Sequence, residues 1–388
     1  MIYFDNAATS FPKPLSVKNA VDAAIVRYGA NPGRSGHDLA AETGKKVYEV
    51  RMKAAELFGA ANEEQVIFTQ NCTYALNTVM KGLVRPGDHV ITSDMEHNSV
   101  MRPLHALESR GIITYSCAVT SCNDEETVEA FRRLIRDNTR VIVTTHASNV
   151  FGIKLPIEKL ALLARQYGLY FVVDAAQTAG TEPIHIRNME IDFLCTAGHK
   201  GLYGPAGTGL LITPYGNCLS PLVEGGTGSL SFDMTQPDFM PDRFESGTLN
   251  TVGIIGLGAG LDFLKRRGVA TIARHECTVA RSVYDRISRE KGVILYTPPP
   301  EYGVNLPVVS FNVEGLTSEE TTARLNKAGF ALRGGLHCAP SAHKKFGTDS
   351  IGTARISVGA FNTVEQARDL ANAICKIAHS SGLKVKKD

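Results

Sequence analysis

The sequence predicts an α/β protein: a mostly parallel seven-stranded sheet in a large domain, with a smaller α+β domain after it. Three observations carry that expectation. Between residues 65 and 213, short apolar runs alternate with helix-length segments. The runs are continuously apolar, as in strands buried on both faces, which places helices on both sides of a parallel sheet. After a Gly-rich stretch at 225–230 the alternation stops and a different pattern begins.

Residues 14–29 and 37–59 read as helices. In the second, Leu39, Val47, Val50, Ala54, Leu57 and Phe58 approximate one face. QVIFT (65–69) is the first strand of the sheet and leads into a helix from about Cys72. HVITS (89–93), IITYSC (112–117), RVIVTT (140–145) and YFVVDA (170–175) follow, each separated by a helix-like stretch. IDFLCT (191–196) and TGLLIT (208–213) bring the strands to seven. Residues 250–291 read as long helices, and PVVSFNV (307–313) and ARISVG (354–359) as strands of the smaller domain. The expected division is 15–262 for the large domain, and 1–14 with 263–388 for the small one, which carries Cys338. GLGAG (256–260) imitates a dinucleotide fingerprint, but Leu261 stands where the third glycine belongs and no strand precedes it. Close helix packing accounts for it better.

A chain of 388 residues suffices for two domains with real cores. Its 41 basic and 39 acidic residues leave a net charge of +2, no footprint for nucleic acid or an anionic membrane. The basic tail of Lys384, Lys386 and Lys387 reads as a solvated end. No apolar run reaches membrane-spanning length, and MIYFDNAATS lacks the layout of a signal peptide. Eight cysteines without regular spacing make no disulfide framework, so a reducing cytoplasm is the expected setting.

Parallel sheets bind ligands beyond the carboxyl ends of their strands. QNCTYALN follows the first strand and starts a helix at Asn71, Cys72 and Thr73, whose free N–H groups and hydroxyl suit a phosphate. Further strand ends carry His97, Asn149, Asp174 with Gln177, and His199 with Lys200. Each has a bland alternative as a cap, turn or solvated residue, but polar residues at five strand ends converge on one crevice. The Asp–Gln–His–Lys set suggests pyridoxal 5'-phosphate, which needs a lysine for its Schiff base and an acid at its pyridine nitrogen. Gly198 and Gly201 are expected to let a flat ring approach. The last feature is RGGLHCAP (333–340), where Gly334 and Gly335 predict an exposed turn. Cys338 by itself would be a small buried hydrophobe.

The sequence resembles the class V aminotransferase-related cysteine desulfurases, particularly the Suf-type group that includes selenocysteine lyases. The resemblance runs through YFDNAATS (3–10), NPGRSGH (31–37), EHNS (96–99), VVDAAQTAG (172–180), AGHKGLYGPAGTG (197–209), FESGTLN (244–250), RGGLHCAP (333–340) and ARISVGAFNT (354–363). It implies the type I fold of pyridoxal-phosphate-dependent transferases. It also implies a role for each matching position: Lys200 in the Schiff base, Asp174 on the pyridine nitrogen, His97 stacked on the ring and Gln177 on the phenolic oxygen. Thr73, the Cys72 backbone and His199 would hold the phosphate; Asn149 and Arg355, with Arg333 nearby, would hold the substrate carboxylate. Members are homodimers in which the neighbouring subunit completes the phosphate site; Thr248 matches that contributor and Gly226 matches it more loosely. Ala197 and Cys72 depart from the serine and threonine of many relatives, which puts the hydroxyl count of the phosphate cup in question.

For Cys338 the resemblance implies the role of sulfur acceptor. It would take sulfur from L-cysteine as a persulfide while L-alanine leaves, with His337 assisting. A mobile glycine-flanked turn would bring it over the ring, and Arg333 would favour its thiolate. The compact segment between Cys338 and Arg355 implies limited reach and a dedicated sulfur-acceptor protein. The competing expectations are a selenocysteine lyase or other C–S lyase acting on L-selenocysteine or a related substrate, a class V aminotransferase in which Cys338 is incidental, and a non-catalytic sulfur carrier. No metal site is expected, since His337, Cys338 and His343 lack a fourth ligand.

Overall fold

The chain begins with a two-residue strand, β1 (Ile2–Tyr3), and two helices, α1 (Leu15–Arg27) and α2 (Asp38–Phe58). The computed structural model describes residues 1–33 and 36–385. Arg34 and Ser35 of NPGRSGH, and Lys386 and Lys387 of the basic tail, lie outside the described residues.

Seven strands build the central sheet: β2 (Val66–Thr69), β3 (His89–Ser93), β4 (Thr114–Ala118), β5 (Thr139–Thr145), β6 (Tyr170–Asp174), β7 (Phe193–Ala197) and β8 (Gly209–Ile212). Between them run α3 (Cys72–Leu83), α4 (Asn98–Ser109), α5 (Asp124–Arg132) and α6 (Ile157–Gln166). The spatial order is β2-β8-β7-β6-β5-β3-β4. Every neighbouring pair is parallel except those of β8, which is antiparallel to both β2 and β7. Strand alternation sends successive side chains to opposite faces, so one strand feeds two cores. Ile67, Val90, Val143, Val172 and Phe193 enter one core; Phe68, Ile91, Ile142, Val173 and Leu194 enter the other. Both faces are covered, which is why these runs are apolar throughout. Edge strand β4 is the exception, with Thr114 and Cys117 exposed.

Two long helices follow, α7 (Thr251–Arg267) and α8 (Val269–Ile287). The rest comprises β9 (Val293–Leu295), β10 (Val308–Val313), α9 (Ser318–Lys327), β11 (Phe330–Ala331), α10 (Pro340–Lys345), β12 (Ala354–Ser357) and α11 (Val364–Val385). β12, β10 and β9 form an antiparallel sheet, while β1 pairs in parallel with β11. A third core gathers Phe4, Val283, Val309, Phe311, Ile356 and Leu370, joining the chain's start to its end.

The glycines of GLGAG are packing residues of α7, which lies on α1 and α2. A Cβ on Gly258 would stand 2.5 Å from Val50, and one on Gly260 would stand 2.3 Å from the Leu202 carbonyl oxygen. The expected face of α2 holds from Val47 to Phe58, but Leu39 is exposed. Arg51 is buried instead, because Glu245 meets it with two hydrogen bonds of 2.7 and 2.8 Å. The same carboxylate accepts the Phe68 amide at 2.7 Å, so one ion pair ties α2, β2 and the 239–250 segment together.

Candidate active site

A cleft opens at the carboxyl ends of β2, β3, β5, β6 and β7. Cys72, Thr73, His97, Asn149, Asp174, Gln177, His199, Lys200, Arg333 and Arg355 all line it. On the β2 side Asn71 caps α3, its Oδ1 accepting the Tyr74 amide at 2.8 Å. That leaves the amides of the first turn, and the Thr73 side chain, at the cleft wall. Asp174 ends β6 and is buried. Its Oδ1 accepts the Ala176 amide at 2.9 Å and the Cys72 thiol at 3.4 Å. Burial raises the Cys72 thiol pKa well above its usual value, so this group stays a donor. The thiol that stands where many relatives have a threonine therefore meets Asp174.

His97 caps α4, its Nδ1 accepting the Ser99 amide at 3.0 Å. Burial pushes its pKa down against the pull of Asp174, which leaves a neutral ring with its proton on Nε2. His199 is likewise pushed down, to about 4, by burial and by the lysines Lys200 and Lys13. Burial also lowers the Lys200 amine, outweighing the attraction of Asp174. A lysine amine made easier to deprotonate is a better nucleophile. Gly198 and Gly201 serve the turn rather than a ligand: a Cβ on Gly198 would lie 2.1 Å from Thr208 Oγ1, and one on Gly201 2.4 Å from the Ala179 oxygen. The glycines are demanded by chain packing, not by the approach of a flat ring.

The opposite wall carries the cations. Arg355 on β12 is buried; its Nη2 donates to Asp5 Oδ1 at 2.7 Å and its Nη1 to the Asn149 oxygen at 2.9 Å. Asn149 Nδ2 donates to the His337 oxygen at 2.7 Å. Among the described residues, three buried polar atoms here have no partner: Asn149 Oδ1, Arg355 Nε and His337 Nδ1. Buried polar groups are normally satisfied, so unmet donors and acceptors around one cleft are what a polar ligand would complete.

Cys338 is exposed at the rim, with Arg333 Nη2 4.0 Å from its sulfur. Its segment is anchored, in contrast to the mobile turn that the glycines led one to expect. The Asn98 amide donates to the Cys338 oxygen at 2.7 Å, and the Thr353 amide to the Gly335 oxygen at 3.1 Å. His337 and Cys338 both hold left-handed backbone, at φ 48° and 58°, a costly conformation for such residues that surrounding contacts must impose. His337 Nε2 donates to the Thr353 oxygen at 2.9 Å, and burial holds its pKa down to about 2. That fixes His337 as a hydrogen-bond donor through Nε2 rather than a base that takes a full proton.

Two of the expected residues do not join the cleft. Thr248 is exposed beside Asn31, and Gly226 lies in an outer hollow bounded by residues 224–237. Conversely, sequence reasoning passed over Asp5, Ser10 and Lys13, which touch site residues from behind. They stand in YFDNAATSFPKP (3–14), where nothing in the sequence reveals their partners.

Pyridoxal 5'-phosphate fits the residues present. The cleft offers helix-terminal amides and a threonine hydroxyl for a phosphate, a buried acid at its floor, a neutral histidine ring on its wall and a lysine amine whose pKa burial lowers. Comparison with known proteins agrees. The family model for aminotransferase class-V matches residues 2–370. A probable cysteine desulfurase of Methanothermobacter thermautotrophicus is 33% identical, over 97% of this chain and 94% of that protein. A cysteine desulfurase of Escherichia coli is 32% identical, over 97% and 93%. The apo structure of a cysteine desulfurase from Thermococcus onnurineus is similar with a TM-score of 0.89 at 31% identity, covering 98% of this chain and 95% of that one. The chain belongs to the class-V aminotransferase family, among relatives that are cysteine desulfurases.

Proposed function

We propose that the protein is a pyridoxal-phosphate-dependent cysteine desulfurase that converts L-cysteine to L-alanine and passes the sulfur to Cys338 as a persulfide. One observation carries this reading: an exposed cysteine is fixed at the rim of a cleft that holds Lys200 and Asp174. Lys200 holds the cofactor through its amine, Asp174 faces the pyridine nitrogen, His97 lies on the ring and Gln177 meets the phenolic oxygen. The Cys72 amide, Thr73 and His199 hold the phosphate. Bound there, the cofactor supplies an electron sink for the bonds at the substrate α-carbon.

Arg355 and Asn149, with Arg333 beside them, bind the substrate carboxylate. Lys200 Nζ takes the α-proton and returns it. Cys338 Sγ forms an S–S bond as the substrate C–S bond breaks. L-Cysteine and the Cys338 thiol become L-alanine and the Cys338 persulfide, a change that balances without an added oxidant. Residues 15–262 serve as the cofactor-holding domain, and 1–14 with 263–388 as the domain bearing Cys338. The active form is a cytoplasmic homodimer, in which Thr248 and Gly226 complete the neighbour's phosphate site. Full exposure of Phe232 and Met234 beside that segment supports a partner surface. The short, anchored Cys338 segment supports delivery to an acceptor protein, with iron–sulfur cluster assembly as the sulfur's destination.

The test is Cys338→Ser. Alanine release from L-cysteine is expected to fall by about a thousandfold or more, as when a catalytic nucleophile is removed, with the visible absorption of bound cofactor retained. Mass spectrometry of the wild type after turnover should find one extra sulfur on Cys338. Undiminished desulfuration in the variant would return Cys338 to a structural role.

A further inference from the structure

Within residues 5–13, Ala7 and Ala8 line the cleft, and their neighbours reach the other cleft residues from behind. Asp5 pairs with Arg355 at 2.7 Å. The Ala7 oxygen accepts Gln177 Nε2 at 3.1 Å. The densest contact is with the turn that carries Lys200. The His199 oxygen accepts the Ser10 amide at 3.1 Å, Thr9 Oγ1 at 3.0 Å and Lys13 Nζ at 2.6 Å. Ser10 Oγ donates to the Lys200 oxygen at 2.9 Å, and Lys13 Nζ donates to Ser10 Oγ at 2.7 Å.

Within this turn the His199 carbonyl depends on residues from elsewhere in the chain. Gly198 and Gly201 bracket His199 and Lys200, and neither adds a side chain that would stiffen the backbone. The Gly198 and Lys200 oxygens have backbone partners in Gly204 and Tyr203, whereas the donors to the His199 oxygen come from the N-terminal segment. Withdrawing an ammonium from water is costly, and burial pushes the Lys13 pKa down to about 8. Lys13 Nζ stands at that cost on the carbonyl of the peptide that joins His199 to Lys200. Lys13 does not itself line the cleft.

We propose that Lys13 is a positioning residue: together with Ser10 it fixes the His199 carbonyl, and so sets where the Lys200 amine and the His199 ring stand in the cleft. This rests on the reading that Lys200 carries the cofactor.

The experiment reconstitutes full-length apoprotein with pyridoxal 5'-phosphate and follows the rate of covalent attachment and the visible circular dichroism per bound cofactor. Melting of each apoprotein is recorded in parallel. Lys13→Met is expected to slow attachment at least tenfold (about 1.4 kcal/mol in barrier) and to change the dichroism. Lys13→Arg, which keeps a cation, should recover part of both. Ser10→Ala should shift both in the same direction by less, and it keeps the proposal open to test if Lys13→Met fails to fold. Lys53→Met, which breaks the Lys53–Asp262 pair outside the cleft, should alter neither. Wild-type attachment and dichroism in both Lys13→Met and Ser10→Ala would overturn the proposal, as would equal losses in Lys53→Met. Failure of the underlying reading would look different: Lys200→Ala would then attach the cofactor as the wild type does.

Discussion

At Cys72 the residue itself, not its position, decides the chemistry. Its backbone starts α3 at the cleft, but its thiol points to Asp174 Oδ1. A hydrogen bond to a charged group is worth about 1.5–3 kcal/mol for strong donors, and a thiol is a weak one. Cys72→Ala is therefore expected to loosen pyridoxal 5'-phosphate by only a few-fold, read as the dissociation constant in a fluorescence titration of apoprotein. A loss of a hundredfold or more would mean that the thiol contacts the cofactor directly. His337 teaches the complementary lesson. Its place beside Cys338 suggested acid–base help, yet its Nε2 is committed to the Thr353 oxygen and its pKa is driven to about 2. Neither fact is written in RGGLHCAP.

Among the elements, the strands inside the sheet were legible because both of its faces are covered, which makes their runs continuously apolar; edge strand β4 is half exposed. The order of the strands was not, and neither was the reversal of β8: TGLLIT reads the same in either direction, since register and sense are set by partners far away in sequence. The short strands β1 and β11 escaped notice because two residues carry no period. Five strand-end signals pointed to the site, but the residues behind it did not, because a supporting contact such as Lys13 to the His199 oxygen has no motif. Arg51 shows the same limit. It sits on the apolar face of α2, where the pattern asks for a hydrophobe, and only the fold supplies Glu245. Removing one partner of a buried pair leaves an uncompensated charge and costs about 3–5 kcal/mol. Arg51→Ala is expected to lower stability by that amount in denaturant melts. The double variant with Glu245→Ala should lose less than the sum of the two single losses; simple additivity would show that the pair is not coupled.

For the whole molecule, burial of titratable groups sets a pH window. His89, His146 and His337 are held at about 4, 3 and 2 by burial, all below the 6.5 of an exposed imidazole. The unfolded chain binds their protons first, so their contribution is complete above pH 6.5 and is lost as pH falls toward the folded values. Glu96 and Glu276 are pushed up to about 8 by burial. Their folded forms hold protons that the unfolded chain releases from pH 4.5 upward, so their contribution fades as pH rises toward 8. The apoprotein's melting temperature should peak near about pH 6 and fall on both sides. Glu276→Gln should flatten the alkaline fall; a wild type whose melting temperature climbs steadily from pH 6 to 8 would contradict this account. Assembly is tested separately. Thr248→Ala and Lys200→Ala subunits, each weak or dead alone, should regain activity when mixed, since one site of the mixed dimer is then complete. No recovery in a verified mixed dimer would place Thr248 outside the neighbour's site.

The pairing of β1 with β11, and of Asp5 with Arg355, has a consequence in time. A ribosome makes Asp5 some 350 positions before Arg355, so one half of this contact must wait for the other. The central sheet can form while synthesis continues, because its strands are complete by Ile212. The wall of the cleft that carries Arg355 cannot. A nascent chain halted before β12 would therefore hold a folded sheet and no complete cleft, with Asp5 still unpaired.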